Sequence, residues 1–312
     1  MKIGNLELAQ PTVLAPMAAL TCGVFRRLVD WIGGCGLLVT EMVSVEALRR
    51  GNRRTVQMID PFVGSTPQFV QLFGANPEAF VDATQTIEDK VAVAGIDINM
   101  GCPVPKVARG GAGAALLADP ARMAAIIEAV RKNTTLPLTV KIRLGVDEVK
   151  VAELARVVED SGADAIAVHF RLKTDPWTGP ARWEWAAAVK ETVRIPVIGN
   201  GNIETAPEAI HRLAQVDGVM AGRGAISNPF LFREIMGQVT TPADWRAMAV
   251  RLTELIEEFT PERNRAGKLK AFSRYLTAGG RCPKAEKKAL FTAQTFPEAR
   301  ERFLGVFSPP AG

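Results

Sequence analysis

Short apolar runs alternate with segments of helical spacing along most of the chain. Eight such runs are rich in β-branched and aliphatic residues, at 12–17, 36–42, 68–74, 95–99, 138–143, 165–170, 195–200 and 217–222. Strands that are apolar on both faces are typical of a parallel sheet covered by helices. Eight βα units predict a (β/α)8 TIM barrel. An open doubly wound sheet is disfavoured, because no GxGxxG turn follows the first run.

The alternation stops at about residue 242. Four helical segments follow, at 242–259, 267–280, 283–291 and 297–307, and Pro and Gly stand at the breaks between them. We therefore predict two domains: a catalytic TIM barrel over residues 1–240 and a small all-helical domain over residues 241–312.

Charge distinguishes the two predicted domains. The 312-residue chain carries a net charge of +5, and all of this excess lies in residues 238–312, with 13 Lys and Arg against 8 Asp and Glu. Residues 263–288 contain nine basic residues and one acidic residue. A solvated helix usually mixes the two signs, so this segment predicts contacts with nucleic-acid phosphates.

The sequence lacks the patterns of secreted, membrane-spanning and metal-binding proteins. The N-terminus lacks the pattern of a signal peptide, and no apolar run is long enough to span a bilayer. The four cysteines have no CxxC spacing, which predicts neither a disulfide framework nor a metal site. We expect a cytoplasmic, monomeric protein with reduced thiols that binds no membrane.

The predicted strands are apolar until their last one or two residues, and most of them then turn polar. The residues at the eight strand ends are Pro16-Met17, Glu41, Gln71, Asn99, Lys141, His169, Asn200 and Gly222-Arg223. Because ligands of a TIM barrel bind at the carboxyl ends of its strands, this series predicts a ligand site. The glycine-containing ends of the last two strands, at 199–203 and 221–226, predict a phosphate site with Arg223 as a further cationic contact.

Two side chains at this end of the barrel carry specific chemistry. Lys141 is costly to bury without a negative partner, so it forms a Schiff base, binds an anionic substrate or stabilises a reduced flavin. His169 ends the next strand and is placed to contact the same ligand.

Cys102 lies in a Gly-Cys-Pro turn just after the fourth predicted strand. A thiol is a competent proton donor near neutral pH. A nucleophilic role requires an adjacent base, and no histidine lies nearby in sequence.

These residues match a family. The stretches "LAPMAALTCGVFRRL", "TEMVS", "VQLFGANPEAF", "DINMGCPVPKV", "VKIRLG", "IPVIGNGNI", "AGRGAISNPFLFREI" and "KAFSRYL" resemble bacterial, FMN-dependent tRNA-dihydrouridine synthases. The resemblance extends over nearly the whole chain, and "NMGCPxxKV" is its most specific part.

The resemblance implies a cofactor, a reaction and a set of residues. FMN is reduced by NADPH and passes hydride to carbon 6 of a flipped-out uracil of tRNA, while Cys102 protonates carbon 5 from the opposite face. The implied FMN contacts are Pro16, Met17, Ala18, Gln71, Lys141, His169, Asn200, Gly201, Asn202, Gly222 and Arg223. The implied substrate contacts are Asn99, Lys106 and Arg143. Charge adds Lys268, Lys270 and Arg274 as predicted RNA contacts.

The chain departs from the family pattern at two places. After the sixth strand, Phe170 and Leu172 replace the usual glycine and threonine, and we expect this to affect site shape or substrate choice. "APMAAL" replaces the commoner Met-Ala-Gly sequence.

Three alternatives remain: the same chemistry on ribosomal RNA, an FMN-barrel oxidoreductase for a small molecule, and a non-catalytic RNA-binding protein. The small-molecule alternative leaves the basic tail unexplained, and the non-catalytic one leaves Cys102 and Lys141 unexplained.

Overall fold

Eight parallel strands close into a barrel in the computed structural model, which describes residues 1–59, 64–176, 178–278 and 280–308. In order around the barrel these strands are β3 (Thr12–Leu14), β4 (Leu37–Val39), β6 (Gln68–Phe73), β7 (Gly95–Asn99), β8 (Leu138–Arg143), β9 (Ala165–His169), β10 (Val197–Asn200) and β11 (Gly218–Ala221). Pairing of β11 with β3 completes the ring. The predicted TIM barrel is confirmed. Residues 60–63, 177, 279 and 309–312 of the two predicted domains lie outside the described residues.

The second predicted strand, 36–42, is interrupted. A short strand β5 (Val43–Ser44) follows β4 after a three-residue gap and pairs farther along β6. Within the gap, the Thr40 hydroxyl accepts a hydrogen bond from the Gln71 backbone N–H at 3.0 Å. A side-chain acceptor thus replaces one backbone hydrogen bond between the two strands.

A hairpin of β1 (Lys2–Ile3) and β2 (Leu6–Glu7) precedes the barrel. Ile3 and Leu8 pack against interior residues in the lower part of the barrel, which is the part nearest the amino-terminal ends of the strands, and they close that end.

Helices cover the outside of the barrel. They are α1 (Gly23–Ile32), α2 (Val45–Arg49), α3 (Arg53–Met58), α4 (Pro77–Lys90), α5 (Pro105–Ala108), α6 (Pro120–Lys132), α7 (Val151–Asp160), α8 (Ala186–Thr192), α9 (Ala206–Leu213), α10 (Arg223–Ser227) and α11 (Leu231–Ile235), with 3-10 turns at Gly113–Ala118 and Trp183–Trp185. Asn76, Asp119 and Thr205 cap α4, α6 and α9 with side-chain oxygens, each followed by Pro in the first turn.

The interior of the barrel changes from apolar to polar along its axis. Alternate residues of a strand face the same side, so Phe69 and Gln71 of β6 both point inward. Phe69 belongs to the apolar lower core, whereas Gln71 two residues later forms buried side-chain hydrogen bonds. On β9, Ala165 and Ala167 lie in the same lower core and His169 lies above them. This gradient places the polar groups at the carboxyl ends of the strands.

Four helices follow the barrel: α12 (Pro242–Phe259), α13 (Glu262–Leu276), α14 (Lys284–Thr292) and α15 (Phe296–Val306). α12 packs along α1, and the Phe272 ring of α13 stacks on Phe25 of α1 with a centroid distance of 5.6 Å. One side of α13 therefore lies against the barrel beside its mouth. Among the described residues, no helix is both long and apolar enough to cross a membrane.

Candidate active site

A cleft of about 490 Å³ opens at the carboxyl ends of the strands. It brings together most of the site residues predicted from the sequence: Pro16, Met17, Ala18, Gln71, Asn99, Cys102, Lys141, Arg143, His169, Asn200, Gly201, Asn202, Gly222 and Arg223. The strand ends thus converge on one space.

A chain of buried hydrogen bonds crosses the floor of this cleft. The Asp97 carboxylate accepts from Gln71 Nε2 at 2.6 Å, and Gln71 Oε1 accepts from Asn99 Nδ2 at 2.8 Å. Asn99 Oδ1 then accepts from the backbone N–H of Cys102 at 2.9 Å. Thr139 donates its hydroxyl to the other Asp97 oxygen at 2.6 Å. Burial raises the pKa of Asp97 to about 6, against the opposing effect of its hydrogen bonds and of Lys141.

The Cys102 turn is also fixed on its other side. Its backbone carbonyl accepts from Ala114 N–H at 2.9 Å, and Arg143 Nε donates to the Gly101 carbonyl at 2.8 Å. Gly113 stands at φ +60°, and a Cβ there would lie 2.7 Å from the Cys102 carbonyl oxygen. The glycine-rich stretch after the cysteine therefore lets the chain pack closely against the turn.

Lys141 points into the cleft from the end of β8. Its Nζ donates to Asn200 Oδ1 at 3.2 Å, and the Asn200 amide in turn donates to the Met220 carbonyl at 2.7 Å. Burial lowers the pKa of Lys141 to about 8, and the neighbouring Arg143 guanidinium acts in the same direction. A buried ammonium group of this kind favours an anionic or electron-rich ligand.

His169 is held by an arginine that the sequence analysis did not select. Arg171 Nη1 lies 2.8 Å from His169 Nε2, and an arginine can only donate, so Nε2 accepts and the proton of the neutral ring is on Nδ1. Burial, followed by the positive charges of Lys141, Arg143 and other arginines, lowers the pKa of His169 well below its usual value. The histidine is therefore neutral at pH 7.

The two glycine-containing loops lie side by side at one end of the cleft. Gly201 has φ +128°, and a Cβ there would lie 2.7 Å from the Ala181 Cβ. Asn202 adopts a left-handed φ of +50°, and its Oδ1 accepts from Arg171 Nη2 at 2.6 Å and from Ala181 N–H at 2.8 Å. Arg223 is exposed beside them, and its guanidinium lies 3.8 Å from the Glu204 carboxylate.

The remaining predicted residues lie elsewhere. Lys106 is exposed on α5, outside the cleft, and Arg274 is exposed on α13. Lys268 Nζ donates to the Ala19 carbonyl at 3.3 Å, and Lys270 Nζ donates to the Ala293 carbonyl at 2.6 Å. The two lysine ammonium groups thus contact different parts of this chain, and their predicted RNA contacts stay predictions.

Three residues of the site were missed. Asp97 lies two residues before Asn99, so strand alternation places both in the barrel interior. Arg171 stands two residues after His169, between Phe170 and Leu172, the two residues that depart from the family pattern. Tyr275, the single tyrosine of the chain, reaches the cleft from α13. No sequence pattern indicates that contact, because it depends on how α13 packs against the barrel.

The departures Phe170 and Leu172 lie outside the cleft. Both are buried in the layer between strands and helices, where the Phe170 ring packs on Trp183 with centroids 4.6 Å apart. The Trp183 indole donates to the Gly201 carbonyl at 2.9 Å. The expected effect on site shape therefore does not come from direct contact, because these two side chains pack behind the cleft wall.

A closed parallel barrel with a polar cleft at the carboxyl ends of its strands is the architecture of TIM-barrel enzymes. Histamine dehydrogenase from Rhizobium sp. 4-9 has a TM-score of 0.58 at 13% identity, covering 82% of this chain and 50% of its own. Morphinone reductase has a TM-score of 0.54 at 14% identity, covering 78% and 90%. At such identities the likeness shows the fold alone.

Sequence comparison is more specific. Residues 13–281 match the family described as Dihydrouridine synthase (Dus). A "Probable tRNA-dihydrouridine synthase" of Rickettsia bellii is 40% identical over 241 residues, which are 75% of this chain and 73% of the relative. The "tRNA-dihydrouridine synthase B" of Pseudomonas aeruginosa is 39% identical over 242 residues, 75% and 71% of the two chains. The chain belongs to the dihydrouridine synthase family, a family of flavin-dependent oxidoreductases, and the resemblance found in the sequence is confirmed.

Proposed function

We propose that the protein reduces the carbon 5–carbon 6 double bond of uridines in tRNA, with FMN as its bound cofactor and NADPH as the reductant. The hydrogen-bond chain that ends on the Cys102 amide carries this proposal, because it fixes a thiol at the edge of a cleft suited to a flavin. The tRNA named in the relatives' descriptions supports the choice of substrate.

The residues of the cleft fit FMN. Arg171 is buried, yet its Nε has no hydrogen-bond partner among the described residues, and its Nη2 bonds Asn202 of one glycine-containing loop. A Cβ at Gly222 would lie 3.0 Å from Met17 Sδ, so glycine keeps open the space between the two loops and Met17. The unsatisfied Arg171 donor, the close backbone approach and the exposed Arg223 suit a phosphate group. We assign the phosphate to Asn200, Gly201, Asn202, Gly222 and Arg223.

The other walls suit the ring. Pro16, Met17 and Ala18 form one wall of the cleft. Gln71 and Lys141 lie on its floor, where a donor amide and an ammonium group can bond the polar edge of the ring. His169, neutral and carrying its proton on Nδ1, contributes a hydrogen-bonding group beside them.

FMN, when bound and reduced, supplies the hydride for carbon 6 of the uracil. The chain's own part is the proton: the Cys102 thiol donates to carbon 5 on the face opposite to the hydride. Asn99 orients the turn that carries this thiol, and Arg143 binds the same turn through the Gly101 carbonyl. We assign to Asn99 and Arg143 the additional role of holding the base.

RNA binding is assigned to the basic surface beside the mouth. Arg274 is exposed on α13 and Lys106 on α5, so both are free to approach phosphates outside the cleft. A base must leave its stack to reach Cys102, and contacts with the body of the RNA offset part of that cost. Because its substrate is tRNA, we place the enzyme in the cytoplasm, and we predict a monomer.

The proposal is tested by purification and a product assay. The protein is expected to be yellow and to release FMN on denaturation. With NADPH it should form dihydrouridine in unmodified tRNA transcripts, which mass spectrometry detects as a gain of two hydrogens. A protein that neither carries nor takes up FMN would refute the cofactor. Activity on ribosomal RNA fragments with none on tRNA would move the chemistry to the other substrate.

A further inference from the structure

Ala19 has a backbone conformation that its side chain disfavours. It lies directly after Met17 and Ala18 of the cleft wall, at φ +65°. L-residues with a Cβ rarely occupy this left-handed region, and they keep it only when surrounding contacts enforce it. The Ala19 side chain is exposed, so its own packing does not hold the conformation.

Two charged side chains hold the Ala19 backbone from opposite directions. The Ala19 N–H donates to Glu41 Oε1 at 2.5 Å, and Glu41 follows strand β4 of the barrel. The Ala19 carbonyl accepts from Lys268 Nζ at 3.3 Å, and Lys268 belongs to α13, 249 residues away in sequence. Hydrogen bonds to charged groups are stronger than those between neutral groups.

Lys268 is well placed for this contact. Its Nζ also lies 3.5 Å from Cys22 Sγ and 5.8 Å from the centre of the Phe272 ring. Phe272 stacks on Phe25 of α1, which anchors this part of α13 to the barrel. The ammonium group therefore approaches the loop from a fixed helix.

Lys270, on the same helix, makes an equivalent bond elsewhere. Its Nζ donates to the Ala293 carbonyl between α14 and α15, within the C-terminal helices. The two lysines are both half-buried and both donate to a backbone carbonyl. Only Lys268 contacts the loop that forms the cleft wall.

We propose that Lys268, together with Glu41, is a positioning residue for the wall of the cleft that Pro16, Met17 and Ala18 form. It holds the Ala19 peptide in its left-handed conformation and so keeps Met17 and Ala18 in place against the flavin. The C-terminal helices then contribute to cofactor binding through one lysine, besides any contact with RNA. This inference rests on the proposed function for its ligand, and on the loop contacts alone for its mechanism.

The first test measures FMN binding by apoprotein, through quenching of flavin fluorescence. Lys268→Met is expected to raise the FMN dissociation constant about tenfold, which corresponds to the lower end of the energetic cost of one residue in a strained backbone conformation. Lys270→Met, the matched control, should leave this constant unchanged. Lys268→Arg keeps a cationic donor and is expected to recover most of the affinity.

A double-mutant cycle identifies the route of the effect. Glycine adopts left-handed conformations without penalty, so Lys268→Met should cost clearly less in an Ala19→Gly background. An equal loss in both backgrounds would show that Lys268 does not act through Ala19. Unchanged FMN affinity in Lys268→Met, with a higher KM for tRNA, would overturn the inference and make Lys268 an RNA contact.

Hydrogen exchange of the apoprotein decides the matter without flavin. The Leu20 and Thr21 amides donate to the Met17 carbonyl within this loop. Lys268→Met should accelerate their exchange, while Lys270→Met should not. Unchanged exchange in Lys268→Met would refute the positioning role. If wild-type protein binds no FMN, the proposed cofactor fails, and this measurement still tests the loop contact.

Discussion

The Asp97 carboxylate and the Cys102 backbone amide lie at opposite ends of one directional hydrogen-bond chain. An ionised carboxylate only accepts, so Gln71 must present its NH2 group to Asp97. Its carbonyl oxygen is then left for the Asn99 NH2 group, and the Asn99 oxygen is left for Cys102. A buried charge deep in the barrel thus sets the orientation of two amides and the position of the thiol.

This directionality predicts the effect of Asp97→Asn. The new amide can offer a donor to Gln71, which would favour a flipped Gln71 and break its bond with Asn99. We expect dihydrouridine formation to fall roughly tenfold to a hundredfold through misplacement of the thiol. FMN binding should weaken to a smaller extent, because the flipped Gln71 no longer presents its NH2 group in the same direction at the edge of the flavin ring. Thr139→Val, which removes only the hydroxyl on the other carboxylate oxygen, is the matched control and should have a smaller effect. Equal product formation by Asp97→Asn and wild type would refute the role of the chain.

Asp97 also makes folding stability depend on pH. Burial raises its pKa from the ordinary value of 3.8 to about 6, so the folded state binds more protons than the unfolded state between these values. The contribution of Asp97 to stability is therefore present below pH 4 and is lost as the pH rises through 6. The loss is at most about 3 kcal/mol. Urea unfolding of wild type and Asp97→Asn from pH 4 to 7 measures it as a difference. A difference independent of pH would contradict the raised pKa.

The strand ends of this site were predictable because a barrel repeats one rule. Alternation within each apolar run places Gln71, Asn99 and Lys141 inside, and parallel strands bring their ends to one mouth. The same alternation, followed two residues back from Asn99, also places the Asp97 side chain inside the barrel. Strand alternation gives no information about the Lys268–Ala19 contact, because these residues are 249 positions apart and meet only through the packing of α13 against the barrel. The left-handed conformation of Ala19 likewise became visible only in the structure, although the sequence marks this position as a departure from the family pattern.

Cys102→Ala separates the two halves of the proposed reaction. FMN binding and NADPH oxidation should persist, because the thiol takes no part in either. Dihydrouridine formation should fall by roughly 10²- to 10⁴-fold, the usual contribution of a general acid. Cys282→Ala, which removes a thiol from the segment between α13 and α14, serves as the control. Single-turnover mixing of reduced enzyme with tRNA measures the step directly, and a wild-type rate in Cys102→Ala would exclude the thiol as proton donor.

The lowered pKa of Lys141 predicts that FMN binding weakens in alkaline solution. With its pKa lowered to about 8, the ammonium group of the apoprotein loses its proton as the pH rises from 7 to 9. FMN should stabilise the charged form, so its dissociation constant should increase above pH 8. Lys141→Met is expected to bind FMN more weakly at pH 7 and to show a flat profile over this range. A wild-type profile that is flat from pH 7 to 9 would contradict the assignment.

Arg274 tests the RNA surface of the C-terminal helices. It is exposed on α13, whereas Lys268 and Lys270 of the same helix donate to carbonyls of this chain. We therefore expect charge reversal at Arg274 to affect RNA more directly than cofactor. Arg274→Glu should raise the KM for tRNA several-fold and lower the salt dependence of binding by about one phosphate contact. FMN affinity should stay at the wild-type value. Arg156→Glu, at an exposed arginine on α7 of the barrel, is the matched control and should leave the KM for tRNA unchanged. Filter binding of tRNA from 50 to 200 mM salt provides the slope. Equal slopes for wild type and Arg274→Glu would show that Arg274 contacts no phosphate.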